Sequence, residues 1–218
     1  MFAIGHFALG YLTGKGSTKL LKTNLNLPLL LVASVLPDFD LVLRAFIPNL
    51  MHRGPTHSVI ALTILTIPFF IIYGKQAIPY YAALLSHSLI GDFFTGGIEM
   101  LWPLSQEWFG NLAIEIGSSA DVLAELSLFT LATAIMYKAK DLKSLLKPKN
   151  SNLLLLIAFG AVLGPMLAIR YESDTALPTL LVIPSLFWLA LFSYSIVVRL
   201  RAKTEKPPLT KNSLALTH

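Results

Sequence analysis

Apolar residues fall along this chain in long blocks separated by short polar stretches, not in the apolar–polar alternation of a half-buried strand. Seven blocks predict seven helices, at about residues 2–14, 25–43, 58–74, 77–94, 119–138, 152–171 and 177–199. Crossing the hydrocarbon of a bilayer takes about 20 residues. The first block is short for that, which predicts a tilted or half-inserted helix, or one that runs past residue 14. Pro68, Pro79, Pro165 and Pro184 fall in the third, fourth, sixth and seventh blocks and predict kinks or early helix positions there. Residues 200–218 are polar, contain Pro207 and Pro208, and read as a loose tail. Without an internal repeat or a second domain, residues 1–199 read as one all-α domain, a polytopic bundle of about seven transmembrane helices.

Composition supports the membrane reading. Hydrophobic residues make up 55% of the chain, charged residues only 13%, and the mean hydropathy is +0.67. A soluble domain carries roughly a quarter charged residues. The net charge of +5 raises nucleic acid as a partner, but the cations sit in short loops between apolar blocks, which is a topology signal and argues against it. Cysteine is absent, so thiolate ligands, disulfides and cysteine nucleophiles are excluded, and a metal site must use His, Asp and Glu. The start, "MFAIGHFALG", lacks a basic stretch and reads as mature protein rather than a signal peptide.

Charge also orients the bundle. With seven spans and the C-terminus inside, 14 of the 17 cations lie in cytoplasmic segments, leaving Arg44, Arg53 and Arg170 on or near the outer side. That places the N-terminus outside. His6, "PDFD" (37–40), "HRGPTHS" (52–58), His87, Asp92, Asp121 and Glu125 then all fall toward the extracytoplasmic face. Every histidine except the terminal His218 converges there, on a face that the lysines and arginines alone define.

Four histidines with carboxylates form a nitrogen and oxygen ligand set suited to Zn²⁺, Mn²⁺ or Fe²⁺. The number of candidates exceeds what one catalytic ion needs, so either two ions bind or some residues support the ligands. In an extended turn the carboxylates of Asp38 and Asp40 point to opposite sides, one free to bind metal and the other to orient a histidine. Gly54 and Pro55 break the helix so that His52 and His57 can turn to one point, and Thr56 or Ser58 can cap the next helix. Arg53 is then placed as an anion clamp for a phosphate or an oxyanion. Each element also has a plainer reading. His6 and His87 could be hydrogen-bonded packing residues, "PDFD" a helix end with an Asx turn, and Asp92 a counter-charge for Arg53. Asp121 and Glu125 suit a helix N-terminus as well as they suit ligation. Ionisable residues inside a membrane are costly and usually mark function, which favours the metal site.

"PDFD", "HRGPTHS" and "SHSLIGDFFTGGIEMLWPLS" (86–105), with the early histidine in "GHFALGYL", resemble the YdjM-like family of membrane-bound metal-dependent hydrolases, also described as LexA-regulated, inner-membrane-associated hydrolases. The resemblance covers about residues 1–105, with residues 106–199 matching only as additional spans. It implies that His6, Asp38, His52, His57, His87 and Asp92 are the metal-site residues. The family's later motif sets a histidine and an aspartate four apart, whereas His87 and Asp92 are five apart. A regular helix would turn Asp92 away by about 140°, and a π-bulge near Gly91 would restore the shared face. Trp102, Trp108 and Phe109 in residues 95–110 suit an aromatic belt, in a segment that either roofs the site against lipid or simply anchors a loop.

Three functions follow, in this order. The first is a metal-dependent hydrolase of a lipid or lipid-linked ester or phosphoester in the inner membrane, using one or two ions, with Asp40 as general base and Arg53 stabilising negative charge. The second is a metal carrier or sensor without turnover, although its ligands would be expected nearer the bilayer midplane. The third is a purely structural polar cluster, but polar pairs between membrane helices contribute only about 0.6 kcal/mol each.

Overall fold

In a computed structural model, which describes residues 1–43, 46–47, 50–111, 114–167 and 177–204, the short first block becomes the central helix of the bundle. Helix α1 (Ala3–Leu21) runs past the expected boundary and is buried almost all round from Ala3 to Tyr11. Its glycines explain the position. A Cβ on Gly10 would collide with Ser34, and one on Gly14 with Leu30, so only a bare backbone lets the neighbouring helices approach this closely. Phe7 and Tyr11 fill the core beside Trp188 and Phe192, with the Phe7 ring edge-on to Phe192 at 5.5 Å.

The second block is interrupted. Helix α2 (Leu27–Ala33) begins with the Asn26 side chain accepting from Leu29 N, and the chain then turns through residues 34–38 before α3 (Phe39–Leu43). Pro37 cannot donate a helical hydrogen bond, which accounts for the break and leaves Asp38 in a turn. The third and fourth blocks form a hairpin. Helix α4 (Val59–Tyr73) is capped by the Ser58 hydroxyl, which accepts from Ala61 N, and ends at Gly74 with φ 53°. A 3₁₀ turn (Gly74–Ala77) leads into α5 (Ile78–Ser86), with Pro79 in its first turn. The Thr63 and Tyr81 hydroxyls meet at 2.6 Å across the hairpin, and the rings of Phe70 and Tyr81 lie 5.4 Å apart. The chain continues without a break from α5 into a π-helical turn (His87–Asp92).

Helix α6 (Ser119–Lys138) has the expected boundaries, and Ser118 caps it by accepting from Asp121 N. An additional short helix, α7 (Asp141–Leu145), follows it, and the sixth block is a 3₁₀ turn (Asn150–Leu154) leading into α8 (Leu155–Met166). The last, α9 (Thr179–Thr204), is longer than expected and contains Pro184, as α4 contains Pro68. Stretches Val59–Asp92, Ser119–Lys138 and Thr179–Thr204 are long and apolar enough to cross a membrane, the first being the hairpin that folds back at Gly74. Arg44, Arg170, the end of the sixth block and the tail beyond Thr204 lie outside the described residues.

Candidate metal centre

The centre forms where three non-helical or irregular pieces meet: the 34–38 turn, the "HRGPTHS" turn and the π turn. Arg53 adopts a left-handed conformation (φ 64°), which is uncommon for a residue with a Cβ. Its backbone is held on both sides, the N–H donating to Asp40 Oδ2 at 3.3 Å and the carbonyl accepting from Glu99 N at 3.0 Å. The chain then closes a 3₁₀ turn over Pro55–His57 and aims the His57 ring inward. On the hairpin's other arm, the wide π turn sets His87 and Asp92 on one face despite their five-residue separation, with His87 Nε2 3.3 Å from Asp92 Oδ2. Gly91 is part of this device, since a Cβ there would overlap the His6 ring.

His57 and His87 are fully buried, and their Nε2 atoms face each other at 3.1 Å. The opposite nitrogen of each ring fixes where its proton lies. His87 Nδ1 is 2.8 Å from the Ser34 carbonyl, which can only accept, so Nδ1 carries the hydrogen. His57 Nδ1 is 3.0 Å from Thr56 Oγ1, whose own hydrogen goes to Asp40 Oδ2 at 2.8 Å, so this Nδ1 also donates. In the neutral rings, both Nε2 atoms therefore present lone pairs to one another. Two carboxylate oxygens join them. Asp38 Oδ1 lies 3.4 Å from His57 Nε2 and 3.3 Å from His87 Nε2, and Asp92 Oδ2 lies 3.0 Å from His57 Nε2. Asp92 is steadied from behind, with Arg53 Nη2 donating to its Oδ1 at 3.0 Å and Arg53 Nη1 donating to the Thr95 carbonyl at 3.0 Å.

Four acceptors facing one another repel unless a proton or a metal ion stands between them. Burial by itself would raise the Asp38 carboxyl, but the His87 and His57 imidazoles beside it hold it well below the usual carboxylate range. Burial likewise works to lower the His57 imidazole, and its contacts with Asp38 and Asp92 outweigh that and raise it. In both cases the centre favours positive charge. The spacing suits an ion as well. Ligand atoms about 2.0–2.1 Å from a metal stand roughly 3.3 Å apart in a tetrahedron and about 3.0 Å apart along an octahedral edge. The separations of 3.0–3.4 Å span both values. Asp38, His57, His87 and Asp92 could hold a metal ion.

The other expected residues surround this group. Asp40, in α3 and not in an extended turn, is buried and receives hydrogen bonds from Thr56 Oγ1 and Arg53 N, with His52 Nδ1 3.0 Å from its Oδ1. Asp40, His52 and His57 also come within 4.8 Å of one another. Because the Thr56 hydroxyl stands between His57 Nδ1 and Asp40, that second group is built as a hydrogen-bonded chain. His6 stacks on His87 at 3.7 Å with 16° between the rings, and its Nε2 lies 3.7 Å from Asp92 Oδ1. Neither nitrogen of His6 has a hydrogen-bond partner among the described residues. Asp121 and Glu125 belong to neither group. Glu125 accepts from Phe2 N at 2.6 Å and Gly5 N at 3.2 Å, capping α1, and Asp121 accepts from Gly117 N at 2.9 Å.

Residues 95–110 are tied to the "HRGPTHS" backbone. Met100 O accepts from Val59 N at 3.0 Å, and the Ser58 hydroxyl donates to Trp102 O at 2.7 Å. Ile98 and Phe109 pair as a short antiparallel bridge, while Trp108 and Leu104 point outward, exposed. Sequence reasoning did not identify the Ser34 carbonyl or Thr95 as supports. A backbone carbonyl leaves no residue signature, and Thr95 reads as an ordinary turn residue.

The YdjM inner membrane protein family model matches residues 1–172, which extends the likeness well beyond the first 105 residues into the later helices. No curated protein and no solved structure matches the chain.

Proposed function

This chain belongs to the YdjM inner membrane protein family, and from that premise we propose that it is a membrane-bound metal-dependent hydrolase acting on an ester, most readily a phosphoester, of a lipid or lipid-linked substrate. The observation that carries this reading is the convergence of two imidazole Nε2 atoms and two carboxylate oxygens beside a guanidinium. A divalent ion, with zinc the first choice and manganese or iron next, supplies Lewis-acid activation of water and of the ester oxygen.

The rest of the work falls to the chain. His57, His87, Asp38 and Asp92 bind the ion, and the Ser34 carbonyl and the Thr56–Asp40 pair keep both rings in the tautomer that binds. Arg53 has five N–H donors, of which Asp92 and Thr95 engage part. The remainder can hold an anionic oxygen of the substrate. Asp40, the general base expected from the sequence, is enclosed by its donors, so it acts through His52, which it orients and which is 15% exposed. His6 and the outlying residues form the wall of the site. The bias of cations to the end of the bundle away from the centre supports an extracytoplasmic site.

Turnover tests this reading. Protein reconstituted in vesicles of mixed phospholipids, loaded with Zn²⁺ or Mn²⁺, should release a water-soluble headgroup or phosphate, and His87→Ala should not. Metal-loaded protein that hydrolyses none of the phospholipids or lipid-linked phosphates offered, while carrying the ion across the membrane, would overturn it in favour of a carrier.

A further inference from the structure

The end of the bundle away from the metal centre carries a surface of a different kind. Between the end of α6 and the start of α8 lie Lys138, Lys140, Lys143, Lys147 and Lys149, all exposed. The one acid in this stretch, Asp141, is turned away from them and already engaged. Its Oδ2 is 2.6 Å from Lys15 Nζ and accepts from the Tyr11 hydroxyl at 2.8 Å. The lysines therefore face outward with no local counter-charge among the described residues of the stretch.

The segment is also held in shape. Leu145 is fully buried, and the buried Asn152 amide donates to the carbonyls of Leu145, Lys147 and Ser195 at 3.3, 2.9 and 3.1 Å, tying the lysine turn to α9. Directly beyond it, Leu153, Leu154, Leu156 and Ile157 are exposed and apolar at the beginning of α8. Cations on a braced turn therefore stand beside an exposed apolar stripe at the start of a short apolar helix. That pairing matches the two chemistries of one phospholipid, an anionic headgroup and an acyl chain.

We propose that the α6–α8 turn is a binding site for an anionic phospholipid of the adjacent leaflet, its phosphate held by Lys143, Lys147 and Lys149 and its acyl chain lying along the start of α8. The site is independent of the metal centre and does not rest on hydrolysis. A lysine near a membrane surface contributes enough attraction that removing three weakens binding by roughly tenfold to a hundredfold.

The test is native mass spectrometry of the full-length protein in detergent, titrated with phosphatidylglycerol or cardiolipin and, for comparison, phosphatidylcholine. Wild type should retain the anionic lipids in preference to phosphatidylcholine. The triple variant K143Q/K147Q/K149Q should lose that preference by the margin above, while K19Q/K22Q/K75Q, which removes as much charge elsewhere, should keep it. Equal losses in the two triple variants would show that total charge and not this turn is responsible, and would overturn the proposal. So would retention of phosphatidylcholine equal to that of the anionic lipids, or displacement of the lipid by millimolar inorganic phosphate, which would indicate a free-anion site.

Discussion

Helix α1 carries an ionisable cluster toward each of its ends, and the two are built on opposite principles. Toward the C-terminal end, Lys15 and the Tyr11 hydroxyl both meet Asp141, so each donor has an acceptor and the charges cancel. Toward the N-terminal end, His6 stacks on a group in which acceptors face acceptors, His57 and His87 through bare Nε2 atoms and Asp38 and Asp92 through carboxylate oxygens. Both arrangements are ionic and partly or wholly buried, so burial and charge alone do not separate a structural pair from a site. Hydrogen bookkeeping does. The first cluster is complete as it stands, and the second needs a proton or a metal ion between its acceptors and could hold the latter.

The sharpest way to break this contrast is to remove a converging acceptor. His87→Ala should abolish stoichiometric metal binding and with it all turnover, as read by metal content and headgroup release. A smaller effect is expected one step out. Thr56→Val removes the hydroxyl that fixes the His57 tautomer and should weaken metal affinity about 10–100-fold, the usual cost of losing such a support, measured by competition with a chelating dye.

Acid provides a third test, because the raised His57 imidazole makes protons compete with metal. Metal affinity should fall about tenfold per pH unit for each proton displaced. Without metal the sign reverses. A histidine raised on folding stabilises the protein fully below its unfolded value near 6.5, and that contribution is lost as pH rises through the folded value. The lowered Asp38 works the other way: its contribution is present above about pH 4 and is lost as pH falls through the folded value. Thermal melts of stripped and loaded protein between pH 5 and 9 should therefore diverge as pH rises. The smallest effect belongs to the complete cluster. Asp141→Asn should cost roughly 1 kcal/mol or less in stability, given that its Lys15 partner is 32% exposed, and should leave metal binding unchanged.

Much of the helical frame was legible in the pattern of apolar blocks. The boundaries of α6 were recovered because Ser118 and Gly117 mark its start and the lysines its end. The five-residue step from His87 to Asp92 required a π turn, and the structure has one. Asp38 meets His87 and Asp40 meets His52, but Asp40 lies in α3 and not in the extended turn expected from "PDFD". Other features depend on contacts distant in sequence. The burial of α1 rests on glycines whose role is visible only once Ser34 and Leu30 are beside them. The break in the second block and the short α7 were hidden inside runs that read as continuous helix or loop. Glu125 could have been a ligand by type, and only the approach of the α1 N-terminus makes it a cap.

The measurement that bears most directly on the central claim is metal content of the detergent-purified protein by mass spectrometry, wild type beside His57→Ala and Asp141→Asn. Wild type and Asp141→Asn should each carry one or two equivalents of a transition metal, and His57→Ala none. A wild type that stays empty when Zn²⁺ or Mn²⁺ is supplied, or a His57→Ala protein that keeps its metal, would contradict that claim.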